Sequence, residues 1–355
     1  MRIAYIINSV EGGGAASPVP AVTDVLRRAG ADIKIFALTR RDGRALPLFE
    51  AAGLDVIVRP GGDKDHVAAW RWLDAEIRAW GATHLWTSLT RATLLGQLVG
   101  LRRHLPVTSW QHAAFLKPAN RRLLRIGQRL SRLWIGDSEA VTRLTAERLG
   151  VGPDRLIQWP IFRADAEAPQ ATRWQAGEAV RIGSLGRLHP VKGYHVLIEA
   201  MRRIDPAIRC ELHIHGEGAQ RDALETQVRD AGLHNVYFPG YVQNPQAFLT
   251  SLHLYVQPSL SEGLCIAAHE AMQSALPVIA SAVGELPHSI QDGVSGWTVP
   301  PGDPDALAGA LQKLLEQPET LAGMGASARE QVLDRFGPDR FEATGRAIID
   351  RMKAF

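Results

Sequence analysis

A chain of 355 residues, 46% of them hydrophobic, with a formal net charge of +3, is long enough for two globular domains and has no disordered or fibrous bias. No apolar run reaches about 18 residues, which excludes a membrane-spanning helix, and Met1 to Ile7 is too short for a signal peptide. The two cysteines, Cys210 and Cys265, set up no disulfide framework and suit a reducing cytosol.

The N-terminal half alternates short apolar strands with helical stretches. Strands are expected at 2–7, 33–38, 55–58, 84–87, 107–110 and 133–135. Helical patterns lie between them, for example at 19–28, 67–79 and 93–103. Such alternation argues for a parallel sheet covered on both faces by helices. The first turn, Gly12-Gly13-Gly14-Ala15-Ala16, lets backbone approach a ligand closely. It is not a dinucleotide fingerprint, because the Gly-x-Gly-x-x-Gly spacing fails at Ser17, so a dehydrogenase is excluded. Asp63-Lys64-Asp65 has a metal-site spacing but sits in a glycine-rich loop and reads as a solvated turn.

Charge is uneven along this half. Residues 77–136 contain no Asp or Glu and hold ten Lys or Arg residues. Lys117 to Arg132 is amphipathic if helical, with Arg121, Arg125, Arg129 and Arg132 on one side and Leu123, Leu124, Ile126, Leu130 and Leu133 as apolar surface. Two readings stay open, an ordinary solvated helix and a patch that docks on an anionic membrane or a phosphorylated lipid. The absence of acids tilts the choice to the second. No aromatic–basic reader motif is present, so nucleic acid is not expected as a partner. Most tryptophans before residue 180 read as core, with Trp70, Trp72, Trp110 and Trp159 as candidates to line an acceptor cleft.

Residues 165–178 lack apolar periodicity and read as a linker. Beyond them the alternation restarts, with strands expected at 180–185, 210–215, 236–238, 254–257, 277–281 and 297–299. Helices are expected at 303–316, 319–336 and 339–353. Gly186-Arg187-Leu188-His189-Pro190-Val191-Lys192-Gly193 follows the first of these strands and places an Arg and a Lys five apart across a turn. Downstream, Glu262-Gly263-Leu264-Cys265-Ile266-Ala267-Ala268-His269-Glu270 reads as loop then helix, with Gly263 at the helix start. Free N–H groups and the dipole make such a terminus an anion site. Arg and Lys for phosphate, together with Glu262 and Glu270 for sugar and ribose hydroxyls, describe a nucleotide-sugar site.

These stretches, with the run PVIASAVGELPHSIQDGVSGWTVPPGDPDALA, resemble the retaining glycosyltransferases of family 4 in order and spacing over nearly the whole chain. The resemblance implies a GT-B fold, α/β, with two Rossmann-like domains facing each other across a cleft. The expected parts are an acceptor domain at 1–164, a linker at 165–178, a donor domain at 179–336 and a final helix at 337–355 crossing back to the first domain. It implies an enzyme that transfers sugar from an NDP-sugar to a glycan or lipid-linked acceptor, with retention and no enzyme nucleophile. Arg187 and Lys192 are implied as diphosphate ligands that stabilise leaving charge. Glu262 is implied beside the sugar, Glu270 on the ribose, and Gly263, Leu264 and Cys265 on the phosphates through backbone. Gly13 and Gly14 match the family's Gly-Gly-Ala turn, His112 its histidine near the reacting sugar, and Tyr241 and Val242 a segment near the base. No metal and no other cofactor are expected.

The chain departs from the family pattern at Cys265 and Glu285, where glycine is usual, at His269, where a larger apolar residue is common, at His288, where glutamate is usual, and at Ala16, where glutamate is frequent. Other readings are a GT-B relative such as an NDP-sugar epimerase or sugar phosphorylase, and a non-catalytic sugar-nucleotide-binding subunit. The expected location is cytoplasmic, peripheral on the inner membrane face, in cell-surface polysaccharide assembly.

Overall fold

The computed structural model describes residues 1–112 and 116–355. The chain divides into two compact units, unit 1 with residues 1–163 and 338–355 and unit 2 with residues 164–337. Each is a Rossmann-like parallel sheet flanked by helices, which matches the α/β expectation.

Unit 1 contains strands β1 (Arg2–Ile7), β2 (Asp32–Ala37), β3 (Asp55–Val58), β4 (His84–Ser88), β5 (Val107–Gln111), β6 (Leu133–Gly136) and β7 (Leu156–Gln158), in the order β3-β2-β1-β4-β5-β6-β7. Unit 2 contains β8 (Val180–Leu185), β9 (Cys210–His215), β10 (Val236–Gly240), β11 (Leu254–Gln257), β12 (Val278–Ser281) and β13 (Gly296–Val299), in the order β10-β9-β8-β11-β12-β13. Ile3 to Ile7 are all buried, as are Leu254 to Gln257, because helices cover both faces of the sheets. In both sheets the strand order reverses at the centre, between β1 and β4 and between β8 and β11. Loops at the carboxyl ends of those strands diverge there and leave a crevice.

The final helix, Pro338–Lys353, belongs to unit 1 and packs on Val19–Arg28. Gly345 makes this close approach possible, since a Cβ there would lie 2.6 Å from Val25 Cγ1 and 2.7 Å from the Trp159 ring. Behind it runs an aromatic column. Ring centroids are 5.4 Å apart for Trp86–Trp110, 5.1 Å for Trp110–Trp159 and 5.0 Å for Trp159–Phe341. Trp110 and Trp159 are therefore core, as most of the tryptophans were expected to be, which removes them from the four cleft candidates. Trp70 and Trp72 are half-buried against the neighbouring apolar cluster.

Two further expectations change. Residues 165–178, read as a linker, cluster with unit 2. Their backbone is tied down by other parts of it: Ala171 N–H donates to the Ser274 carbonyl at 2.7 Å, Thr172 N–H to Thr250 at 3.1 Å, and the Arg329 guanidinium to Ala168 at 3.0 Å. The stretch lacks periodicity because it is held through main chain rather than through an apolar face. The basic segment is also shorter than Lys117 to Arg132. Its helix is Pro118–Gly127, ending at a glycine, followed by one tight turn at Gln128–Leu130. Leu124 and Leu133 are buried, while Leu123, Ile126 and Leu130 share the exposed surface with Arg121, Arg122, Arg125 and Arg129. No helix of the described residues is long and apolar enough to cross a membrane.

Candidate functional site

The crevice of unit 2 is built from the loops after β8, β11 and β12. They interlock backbone to backbone, which requires glycine at the closest points. A Cβ on Gly193 (φ 68°) would lie 2.0 Å from the Pro258 carbonyl oxygen, and one on Gly284 (φ 60°) would lie 2.3 Å from that of Gly263. This packing brings together Lys192 and Glu262, seventy residues apart in sequence.

Lys192 Nζ donates to Glu262 Oε1 at 2.7 Å. The same oxygen accepts from Ser259 Oγ at 2.6 Å and Gln257 Nε2 at 3.3 Å, and Gln257 Oε1 accepts from the buried Tyr255 hydroxyl at 2.9 Å. Glu262 is thus fixed by a chain of donors reaching back into β11. Burial works against the Lys192 ammonium, the Glu262 carboxylate works for it, and its pKa ends above the ordinary value. Arg187 is exposed on the same loop, close enough for its charge to oppose that of Lys192. Two adjacent cations that repel each other make a ready receptor for a dianionic group.

The helix beside them is Ile266–Gln273, so it starts three residues later than expected at Gly263. Cys265 is its N-cap, in the left-handed conformation (φ 66°, ψ 72°), and no side chain caps the end. The chain turns sharply at residue 265 to enter the helix, which moves the start of the helical turn past Gly263. The uncapped N–H groups and positive dipole end add an electropositive helix terminus beside the two cations, an arrangement able to hold an anion. Leu264 and Cys265 are buried, so main chain is what they offer. Burial, with the Glu262 carboxylate, pushes the Cys265 thiol far up, and it stays neutral. Glu270 lies one turn into the helix, and burial pushes its carboxyl up to about 7. His269 faces inward, with Nδ1 2.9 Å from the Cys265 carbonyl and Nε2 2.8 Å from Ser289 Oγ, and burial lowers its pKa to about 4.

The family departures have structural partners. Glu285 is fully buried, ion-paired to Arg335, and donates its N–H to the Gly263 carbonyl at 2.9 Å. The His288 carbonyl accepts from the same arginine. Tyr241 and Val242 follow the edge strand β10, two strands from β8, so they stand at the rim of the loop cluster, with Tyr241 exposed.

Gly13, Gly14 and His112 belong to unit 1. Gly13 (φ 135°) turns the chain between β1 and the first helix. His112 follows β5, with Nε2 2.7 Å from Ser88 Oγ and Nδ1 3.5 Å from Asp137 Oδ2. Sequence reasoning missed Ser88 and Asp137. The available signal was position alone, since each stands at the carboxyl end of an apolar strand. Asp63 and Asp65 are not a free solvated turn: Asp65 pairs with Arg59 and Arg91, and Asp63 with Arg41 and Arg91.

The family model for glycosyl transferases group 1 matches residues 169–331, the stretch that carries this crevice. Unit 2 is a group 1 glycosyl transferase domain. The D-inositol 3-phosphate glycosyltransferase of Streptomyces griseus is 30% identical over 201 residues, 50% of this chain and 43% of that protein. The amylovoran biosynthesis glycosyltransferase AmsK of Erwinia amylovora is 29% identical over 221 residues, 58% and 51%. The chain thus spans about half the length of these curated relatives. The crystal structure of Anabaena Alr3699/HepE in complex with UDP-glucose superposes with a TM-score of 0.86 over 100% of both chains at 20% identity, a likeness that establishes the fold. In the matched stretch the GRL-x3-KG loop meets the loop of Glu262 through Lys192, and Glu270 stands one turn into the helix that follows.

Proposed function

We propose that the protein is a retaining glycosyltransferase that moves a sugar from an NDP-sugar to a glycan or lipid-linked acceptor in cell-surface polysaccharide assembly. The observation that carries this reading is the Lys192–Glu262 pair beside the uncapped helix Ile266–Gln273, with Arg187 on the same crevice. Arg187, Lys192 and the helix N-terminus hold the diphosphate and stabilise its charge as it leaves, so no metal is needed for that step. Glu270 accepts from the ribose hydroxyls and Glu262 faces the sugar. The bond from the anomeric carbon to the diphosphate oxygen breaks, the acceptor oxygen bonds to that carbon on the same face, and the acceptor proton passes to the departing phosphate. UDP is the favoured nucleotide, because HepE, which shares the fold, was crystallised with UDP and UDP-glucose.

The deciding experiment is a thermal-shift panel of UDP-, GDP-, ADP- and TDP-sugars on wild type and Arg187→Ala. A ligand that binds only the folded chain raises its melting temperature by mass action. The expected result is a shift with UDP-sugars that is lost in the variant. A panel with no shift at all rejects the reading.

The exposed arginines and aliphatic residues of Pro118–Gly127 support peripheral docking of unit 1 on an anionic membrane. Reversing Arg121, Arg125 and Arg129 to Glu should abolish binding to anionic liposomes. Unchanged binding rules the docking out.

A further inference from the structure

On one side of the switch point of unit 1, three unusual features meet at the carboxyl ends of the neighbouring strands β4, β5 and β6. Asp137, just after β6, has its carboxylate 1% exposed, and neither oxygen has a hydrogen-bond partner among the described residues. His112 Nδ1 lies 3.5 Å from its Oδ2, and that nitrogen has no hydrogen-bond partner among the described residues. Leu89, between Ser88 and the helix Thr90–Arg103, sits at φ 74°, ψ 160°, a region that glycine alone occupies readily.

A buried carboxylate without donors is costly, and so is a leucine in that conformation. Packing does not account for either: an apolar side chain would suit the surroundings of Asp137 better, and a glycine would adopt the backbone conformation of Leu89 without strain. The cost makes sense as preorganisation of the group between them. Asp137 is the acceptor group that the described residues place beside Nδ1, so Nδ1 carries the proton and points it at the carboxylate. Nε2 then bears the lone pair and accepts from the Ser88 hydroxyl at 2.7 Å. The Ser88 side chain is fully buried, with the buried Tyr5 hydroxyl facing it from β1, so it is no nucleophile for an outside substrate. Trp110 lies under the imidazole, with ring centroids 5.2 Å apart. Of these groups only His112 reaches the surface, and its side chain is 8% exposed.

We infer that Asp137 is the positioning residue of His112, fixing its tautomer and ring plane so that the imidazole edge that reaches the surface of unit 1 is held in place for the acceptor. This deepens the proposed function and rests on it, with unit 1 as the acceptor domain that the family resemblance implies.

The test uses the full-length chain with 15N-labelled histidine, in wild type and in Asp137→Asn. The wild-type His112 signal should be that of the Nδ1–H tautomer, and the variant should lose it, since an asparagine amide can donate where the carboxylate could only accept. Melting temperature should hold or rise in the variant, because a buried carboxyl group without hydrogen-bond partners among the described residues has been removed. With water as the acceptor, kcat for UDP release from the UDP-sugar chosen by the thermal-shift panel should fall at least tenfold while KM for that donor stays within twofold. An unchanged tautomer, or a melting temperature that falls together with the activity, overturns the inference. If wild type binds and turns over no nucleotide sugar, the proposed function fails, and the tautomer arm still decides the role of Asp137.

Discussion

Glu270 gives the sharpest quantitative test of the donor crevice. Its carboxyl is pushed from 4.5 up to about 7 by burial alone. A group that holds its proton more tightly folded than unfolded makes the native state bind more protons between those two values. Stability therefore falls as pH rises through that window, and the full loss is present above about pH 7. At roughly 1.36 kcal/mol per unit, the ceiling is about 3 kcal/mol, and partial solvent access brings the expected value nearer to 2 kcal/mol. Glu270→Gln mimics the protonated form at every pH. It should match wild type near pH 4.5 and exceed it by about 2 kcal/mol at pH 8, or roughly 4–8 °C in melting temperature for a unit of this size. Scanning calorimetry of both proteins across that range measures the difference. The same variant should lose UDP affinity at pH 8, where the ionised wild type accepts ribose hydroxyls. A melting-temperature difference independent of pH would falsify the burial argument, and stabilisation without loss of UDP affinity would remove Glu270 from the donor site.

Other outcomes follow from the same crevice. Glu262→Gln strands the half-buried Lys192 ammonium and should cost about 1–3 kcal/mol, most of it regained in Lys192→Met/Glu262→Gln. Denaturant midpoints of the four proteins give the coupling, and simple additivity would mean the 2.7 Å contact is energetically idle. Cys265→Val puts a branched side chain at φ 66° and should lose about 1–2 kcal/mol, whereas Cys265→Gly should stay within about 0.5 kcal/mol of wild type. Equal denaturation midpoints for Val and Cys would show that the turn relaxes.

Much of this was legible in the sequence because it depends on local pattern. Alternating apolar runs mark strands buried on both faces, and Gly193 marks a place where only main chain fits. The five-residue spacing of Arg187 and Lys192 also survives folding intact. What the sequence hid is set by distant packing. The bond between Lys192 and Glu262 depends on Gly193 meeting Pro258. The late start of the helix at Ile266 depends on Cys265 adopting a conformation its side chain does not favour. Which of Trp70, Trp72, Trp110 and Trp159 are core could not be read, because a tryptophan is equally at home in a core and in a carbohydrate site. Asp137 left no pattern, since one acid after an apolar strand is commonplace until its surroundings are known.

The close fit of Gly345 against Val25 and Trp159 also bears on how the chain is made. Unit 1 is written in two pieces, and its last helix leaves the ribosome only after every residue of unit 2 has emerged. Until then the aromatic column lacks Phe341, and the surface around Val25 meets water. Unit 2 is one uninterrupted stretch and can finish folding first. The usual N-to-C order of domain folding is thereby inverted. The chain order thus allows a stage in which the crevice of unit 2 is complete while unit 1 still waits for the helix Pro338–Lys353.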